Sequence, residues 1–142
     1  MAIIAGVTNS FKEEMLKGEH NLSSNTLKIA LYSTSASIGP GTTAYTTSGE
    51  ISGSNYSAGG NTLAGVSITV SGGTVYVDFT DSVWSSATIS DVSGALIYNS
   101  SVSNKSIAVL DFGVSSGISV SASDFTVKFP SANADDAIIR IS

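Results

Sequence analysis

The chain has 142 residues, with six Lys and Arg against eleven Asp and Glu, a formal net charge of −5 and no cysteine. Six scattered basic residues cannot form the patch that neutralises phosphates, which argues against a nucleic-acid partner and an anionic membrane surface. Without cysteine there is no disulfide, thiolate metal site or cysteine nucleophile. Charged residues are only 12% and hydrophobic ones 42%, while Ser and Thr make up roughly 29%, a balance that favours a folded β-rich domain over disorder. The length predicts one domain, residues 1–142.

The first seven residues are apolar, but too short for a signal-peptide core and without a basic segment ahead of them. No stretch approaches the length of a membrane span. Synthesis as a soluble cytoplasmic product is the expectation. A short helix is predicted over about residues 10–17. Ser10 and Glu13 are spaced as a capping box, Phe11 and Met15 share a face, and Gly18 suits the position just past the end. Two turns are not stable alone, so Phe11, Met15 and Leu16 are expected to dock on a larger body.

From about residue 26 the apolar period changes to two. Leu27, Ile29 and Leu31 alternate with Lys28, Ala30 and Tyr32, predicting a half-buried strand. Residues 33–60 are rich in Gly, Ser and Thr, with only Glu50-Ile51 suggesting a short strand; loops this long are often functional. Strands are predicted at 63–70 and 75–79, with Gly72-Gly73 in the hairpin between them. More follow at 83–84, 87–89, 95–98, 107–112, 118–120, 125–129 and 138–141. Many short strands with closely spaced turn signals indicate an all-β fold: a single β-sandwich, jelly-roll-like as one variant, with one short N-terminal helix. The expected core is Phe11, Leu27, Ile29, Leu31, Val66, Ile68, Val75, Val77, Phe79, Leu96, Val109, Leu110, Phe125, Val127 and Ile139.

Catalytic signals are weak. Gly113-Val114-Ser115-Ser116-Gly117 matches the G-x-S-x-G pattern, but that motif works only as a strand-to-helix turn, and Ile118-Ser119-Val120 reads as a strand. The single histidine, His20, follows the helix and is expected to cap it or face solvent. The eleven carboxylates form no calcium-loop pattern, although a surface site between loops stays open. Trp84, beside Val83, is read as a core or interface anchor rather than a sugar platform, with Tyr45 and Tyr56 the better surface aromatics. No catalytic centre, metal or cofactor is expected.

Several stretches resemble a family of small virion structural proteins of tailed bacteriophages. They are Gly6-Val7-Thr8-Asn9-Ser10-Phe11-Lys12-Glu13-Glu14-Met15-Leu16, Lys28-Ile29-Ala30-Leu31-Tyr32, Thr42-Thr43-Ala44-Tyr45-Thr46-Thr47-Ser48-Gly49-Glu50-Ile51-Ser52-Gly53 and Tyr56-Ser57-Ala58-Gly59-Gly60. Further on come Val77-Asp78-Phe79, Val83-Trp84, Gly94-Ala95-Leu96-Ile97-Tyr98-Asn99, Ala108-Val109-Leu110-Asp111-Phe112-Gly113, residues 125–129 and Ala137-Ile138-Ile139-Arg140-Ile141. The resemblance spans nearly the whole chain. It implies a non-enzymatic particle component: a capsid decoration or cement protein contacting the major capsid protein, or alternatively a tail, fibre or filament subunit touching host glycans. A homo-oligomer is expected, with a trimer as first choice, since linked weak contacts gain from multivalency. The expected assembly contacts are Ile3, Ile4 and Val7 in the apolar N-terminal strip, and Tyr45, Glu50, Ile51 and Tyr56 in the long loop. An edge strand within the chain's own domain is the alternative for the strip.

Overall fold

A computed structural model describes residues 2–130, 133 and 135–142. The elements are β1 (Gly6–Val7), α1 (Asn9–Leu16), β2 (Leu27–Ser33), β3 (Gly53–Ser54), β4 (Asn61–Thr62), β5 (Ser67–Ser71), β6 (Thr74–Asp78), β7 (Ser82–Asn99), β8 (Lys105–Asp111), β9 (Ile118–Val127) and β10 (Ile139–Ile141). They form an all-β sandwich of two antiparallel sheets. The larger runs β1-β8-β7-β2-β4, with β3 and β9 also on β7; the smaller runs β10-β6-β5. One apolar cluster, including Phe11 of α1, Ile29 of β2, Val77 of β6, Ile97 of β7 and Ile139 of β10, ties both sheets and the helix together.

Helix α1 starts two residues earlier than a Ser10 cap would place it. Thr8 is the N-cap, its hydroxyl accepting the Phe11 N–H at 3.3 Å. Ser10 instead lies 3.2 Å from the Ser106 hydroxyl, and Glu13 pairs with Lys17 at 2.6 Å, so the expected capping box is absent. Thr8 wins because its hydroxyl also donates to the Ile107 carbonyl, 3.3 Å away on β8, anchoring the helix start to the sheet. Gly18 ends the helix with φ +73, as expected. Phe11 is buried and Met15 packs against the core, but Leu16, expected to dock, is 92% exposed. It follows Met15 by one residue, which turns it about 100° away from the buried face.

Strand β2 departs from the half-buried expectation. Leu27, Ile29 and Leu31 face the main cluster, while Ala30 and Tyr32 enter a second cluster with Ala36, Ile38, Leu96, Tyr98 and Val109. Alternation cannot reveal a strand whose polar-looking face is covered by tertiary structure. That cover comes from the long loop, through Ala36, Ile38 and Tyr45, and from Ile3.

Three of the predicted strands, at 83–84, 87–89 and 95–98, are one. Within β7, Ser86 and Asp91 adopt positive φ (49 and 62) where the pairing with β9 shifts register. Bulges there absorb residues that read as turns. The N-terminal part of β7 pairs with β9 and the C-terminal part with β2 and β8. The predicted strands at 118–120 and 125–129 likewise join as β9, with Ala122 at φ 46. Of the expected core, Val66, Val75 and Leu110 are half-buried and Ile68 is 49% exposed. Val66, in the loop before β5, and Leu110 on β8 still pack against the main cluster, while Ile68 and Val75 lie towards the open end of the smaller sheet. Tyr32, Val92, Ile97 and Ile107 belong to the core without having been expected there.

Candidate functional site

The two segments expected to make assembly contacts meet on one side of the sandwich. The Ile4 N–H donates to the Ile38 carbonyl at 2.9 Å, and the Ile38 N–H to Ala2 at 3.1 Å. The Asn9 N–H reaches the Pro40 carbonyl at 2.8 Å, and the Ser106 hydroxyl donates to Thr42 at 2.6 Å. Between the N-terminal strip and residues 37–46 lies a shallow groove of about 550 Å³, with Ile4, Ile38 and Pro40 among its lining. Every side chain lining it is neutral.

The structure places the seven expected contact residues very differently. Gly6 and Val7 form β1, antiparallel to β8 through Gly6↔Val109 and Val7↔Ala108. Val7 packs against the core and Ile3 against the second cluster. The strip is therefore bound into its own domain, and the edge-strand alternative describes Val7. Ile4 alone among the seven is largely exposed, at 57%. Ile51 and Tyr56 lie in the main core, so neither side chain is free to meet a partner. Both face inward because the loop doubles back along the edge of β2.

Tyr45, Glu50 and Tyr56 are brought together, but for internal bonding. Strand β4 pairs with β2 only at Lys28↔Thr62 and Ile29↔Asn61. Beyond that point the loop takes over the edge. The Ile51 N–H donates to Leu31 at 3.1 Å, the Ser33 N–H to Gly49 at 2.8 Å, and the Leu31 N–H to the Tyr56 hydroxyl at 2.9 Å. Tyr56 passes its own proton to Glu50 Oε1 at 2.7 Å, where the Gly59 N–H also donates at 2.7 Å, and Tyr45 donates to Oε2 at 2.6 Å. Tyr98 stacks on Tyr45 with ring centroids 4.8 Å apart and donates to the Gly59 carbonyl at 2.6 Å. One carboxylate thus holds both ends of the loop and joins the two apolar clusters. Burial pushes the phenols of Tyr32, Tyr45, Tyr56 and Tyr98 up, and the Glu50 negative charge adds to it.

Replacing Glu50 with Gln should keep the shape but put an amide donor against a donor. The expected cost is about 2 kcal/mol, read as a melting temperature lower by several degrees in a thermal scan. An unchanged melting temperature would mean the network does not hold the loop.

The remaining sequence candidates are apart from this region and from one another. His20 is not in solvent. Its side chain is fully buried, with Nε2 donating to Glu14 Oε1 at 2.9 Å and Nδ1 accepting from the Asn99 amide at 3.0 Å. Lys105 continues the chain, bridging Glu14 at 3.2 Å and Glu19 at 2.6 Å. This cluster fixes the turn after α1 against the Asn99 end of β7. Ser115 lies beyond the other end of the same ladder, past Asp111, which pairs with Gly94. Five strand residues, about 17 Å, separate Gly94 from Asn99, so Ser115 and His20 do not form a nucleophile–base pair. Trp84 is buried and stacks near Tyr56 at 5.9 Å. Among the described residues, no three carboxylate or histidine groups converge as a metal cage.

Compared with known proteins, the chain matches no family model, no curated protein and no solved structure.

Proposed function

We infer that the protein is a non-enzymatic structural component of a bacteriophage virion, a capsid decoration or cement protein acting as a homo-oligomer after synthesis in the host cytoplasm. The whole-chain resemblance and the acidic, hydroxyl-rich composition support this reading. The observation that carries it is the neutral groove beside Ile4. An apolar side chain on the rim of a groove, held in place by backbone hydrogen bonds on both sides, suits docking on another particle protein. The groove offers Ile and Pro surface with carbonyls and hydroxyls and no charge, matching a neutral segment of the major capsid protein better than a charged one.

Ile4→Asp tests it without disturbing the fold, because the Ile4 side chain points outward while its N–H holds Ile38. The variant should melt within about 2 °C of the parent and bind purified particles at least tenfold more weakly, as burying a carboxylate against apolar surface requires. Normal incorporation into particles would overturn the groove as the contact. Copy number separates the head reading from a tail, fibre or filament subunit: a decoration protein is present in many copies per particle and a tail component in few.

A further inference from the structure

The smaller sheet ends in an edge that lacks every usual protection against another strand. Strand β5 (Ser67-Ile68-Thr69-Val70-Ser71) is exposed at all five residues and pairs with β6 without a register shift. It carries no charge, no proline and no bulge, the features that normally blunt an edge. Its apolar face is also left open. Across the sheet, Ile68 aligns with Val77 and Ile139, and Val70 with Val75 and Ile141. Directly opposed residues share a face. Val77 and Ile139 are covered by the core, whereas Ile68, Val70 and Ile141 are 49%, 74% and 58% exposed. The sheet overhangs the body, leaving a cavity of about 340 Å³ between that face and Met15 of α1.

We propose that a second copy of this chain occupies the β5 edge through antiparallel β5–β5 pairing centred on Thr69. This rests on the homo-oligomeric reading above and names its surface. The strand is complementary to itself in that register: Ile68 meets Val70 of the second copy, Thr69 meets Thr69, and Ser67 meets Ser71. The two three-stranded sheets become one of six strands. Each apolar row then runs unbroken through Ile139, Val77 and Ile68 of one copy into Val70, Val75 and Ile141 of the other.

Charge and area favour a second copy. Each chain carries −5, so two copies approach with least repulsion along a strand that has no charge. In this register Asp78, which pairs with Ser67, lines up with Thr74 of the second copy rather than with another carboxylate. Ile68, Val70 and Ile141 keep 49%, 74% and 58% of their surface open, an apolar patch that supplies part of the roughly 800 Å² one partner contributes to a stable interface. Backbone hydrogen bonds along β5 and contact between the two bodies supply the rest. The two-fold axis stands normal to the joined sheet, so both bodies lie on one side of it and enclose the overhang. The pair is isologous and closes on itself, giving a two-fold assembly instead of the trimer that was the first choice from the sequence.

The absence of cysteine makes the register directly readable. Opposed residues in an antiparallel pair lie about 4.5–5.5 Å apart at Cα, inside the span of a disulfide. Under mild oxidation, Thr69→Cys should give a covalent dimer, while the exposed Ser48→Cys should not. By light scattering the parent should be a dimer at micromolar concentration, and Val70→Lys should weaken association by about a hundredfold with an unchanged circular dichroism spectrum. A parent that is monomeric or trimeric would overturn the proposal, as would Thr69→Cys cross-linking no faster than Ser48→Cys. Either result, with normal particle incorporation, would leave the virion role standing and remove only this interface.

Discussion

Alkaline solution should unfold this protein steeply, between about pH 11 and pH 12, after a plateau that extends through neutrality to about pH 10. Tyr32, Tyr98 and Tyr56 are buried, at 0%, 2% and 9% exposure, and each phenol is raised above its ordinary value of 10, that of Tyr98 to about 12. A raised phenol keeps its proton in the folded state while the unfolded chain loses it. The stabilisation is therefore complete below the unfolded value and is lost as pH rises towards the folded one. Each such tyrosine contributes about 1.4 kcal/mol per pH unit in that window, so three together give about 4 kcal/mol per unit. Tyr45 is raised as well, but its partial exposure to solvent discounts its share. One unit above pH 10 that slope already removes a large part of a typical domain's stability of roughly 5–15 kcal/mol. Tyrosinate absorbance and circular dichroism recorded together should change in one cooperative step. Full ionisation near pH 10 with the β spectrum intact would show that these phenols are open to solvent. Tyr98→Phe should make the alkaline slope shallower.

Gly60→Ala is expected to be the most damaging single-methyl substitution in the loop. Gly60 has φ +76, and a Cβ there would sit 1.8 Å from the Ile29 carbonyl oxygen and 2.8 Å from the Ala30 Cα. Gly60 lies where β4 stops and the Glu50 segment takes over the β2 edge, so the loop reaches the strand only because no side chain intervenes. A left-handed backbone alone costs about 1–2 kcal/mol. Forcing the loop off β2 would also strain the bonds from Gly59 to Glu50 and from Tyr98 to Gly59, bringing the expected loss to about 4 kcal/mol. Gly72→Ala is the control: its φ is +54, yet nothing lies within 4 Å of the added carbon. Denaturant titration should show a small loss for Gly72→Ala and a large one for Gly60→Ala. Equal losses would mean that the backbone angle, not the close approach to Ile29, accounts for the effect.

Elements whose stabilising contacts are local, or whose apolar pattern is regular, were legible from the residues alone. The helix was legible because Phe11, Met15 and Gly18 carry its periodicity and stop signal within eight residues. The β5–β6 hairpin was legible because Gly72-Gly73 joins two alternating runs, and Ser71↔Thr74 closes it. Composition together with the many short strands and closely spaced turn signals indicated the all-β class. Other features depended on residues far apart in the chain. Thr8 caps α1 because β8 holds its hydroxyl, from 99 positions away. Strand β7 is continuous because β9 supplies bulged partners at Ser86 and Asp91, residues that look like turns when read alone.

The candidate site divides the same way. An apolar strip and a Tyr-rich loop were visible as unusual segments, but exposure was not. Tyr56 and Ile51 face inward because the edge of β2 needed hydrogen-bond partners and cover once β4 ended: the Tyr56 hydroxyl accepts from the Leu31 N–H and the Ile51 N–H donates to the Leu31 carbonyl. Ile4 faces outward because Ile3, its neighbour, takes the inward position beside Gly94, where their contact leaves no room for a side chain. His20 shows the same limit: a lone histidine after a helix carries no signal of burial, and only the meeting of Glu14 with Asn99, 85 residues apart, encloses it. Which face of a segment meets water is decided by whatever packs over it, and in this sandwich the covering residues come from distant parts of the chain.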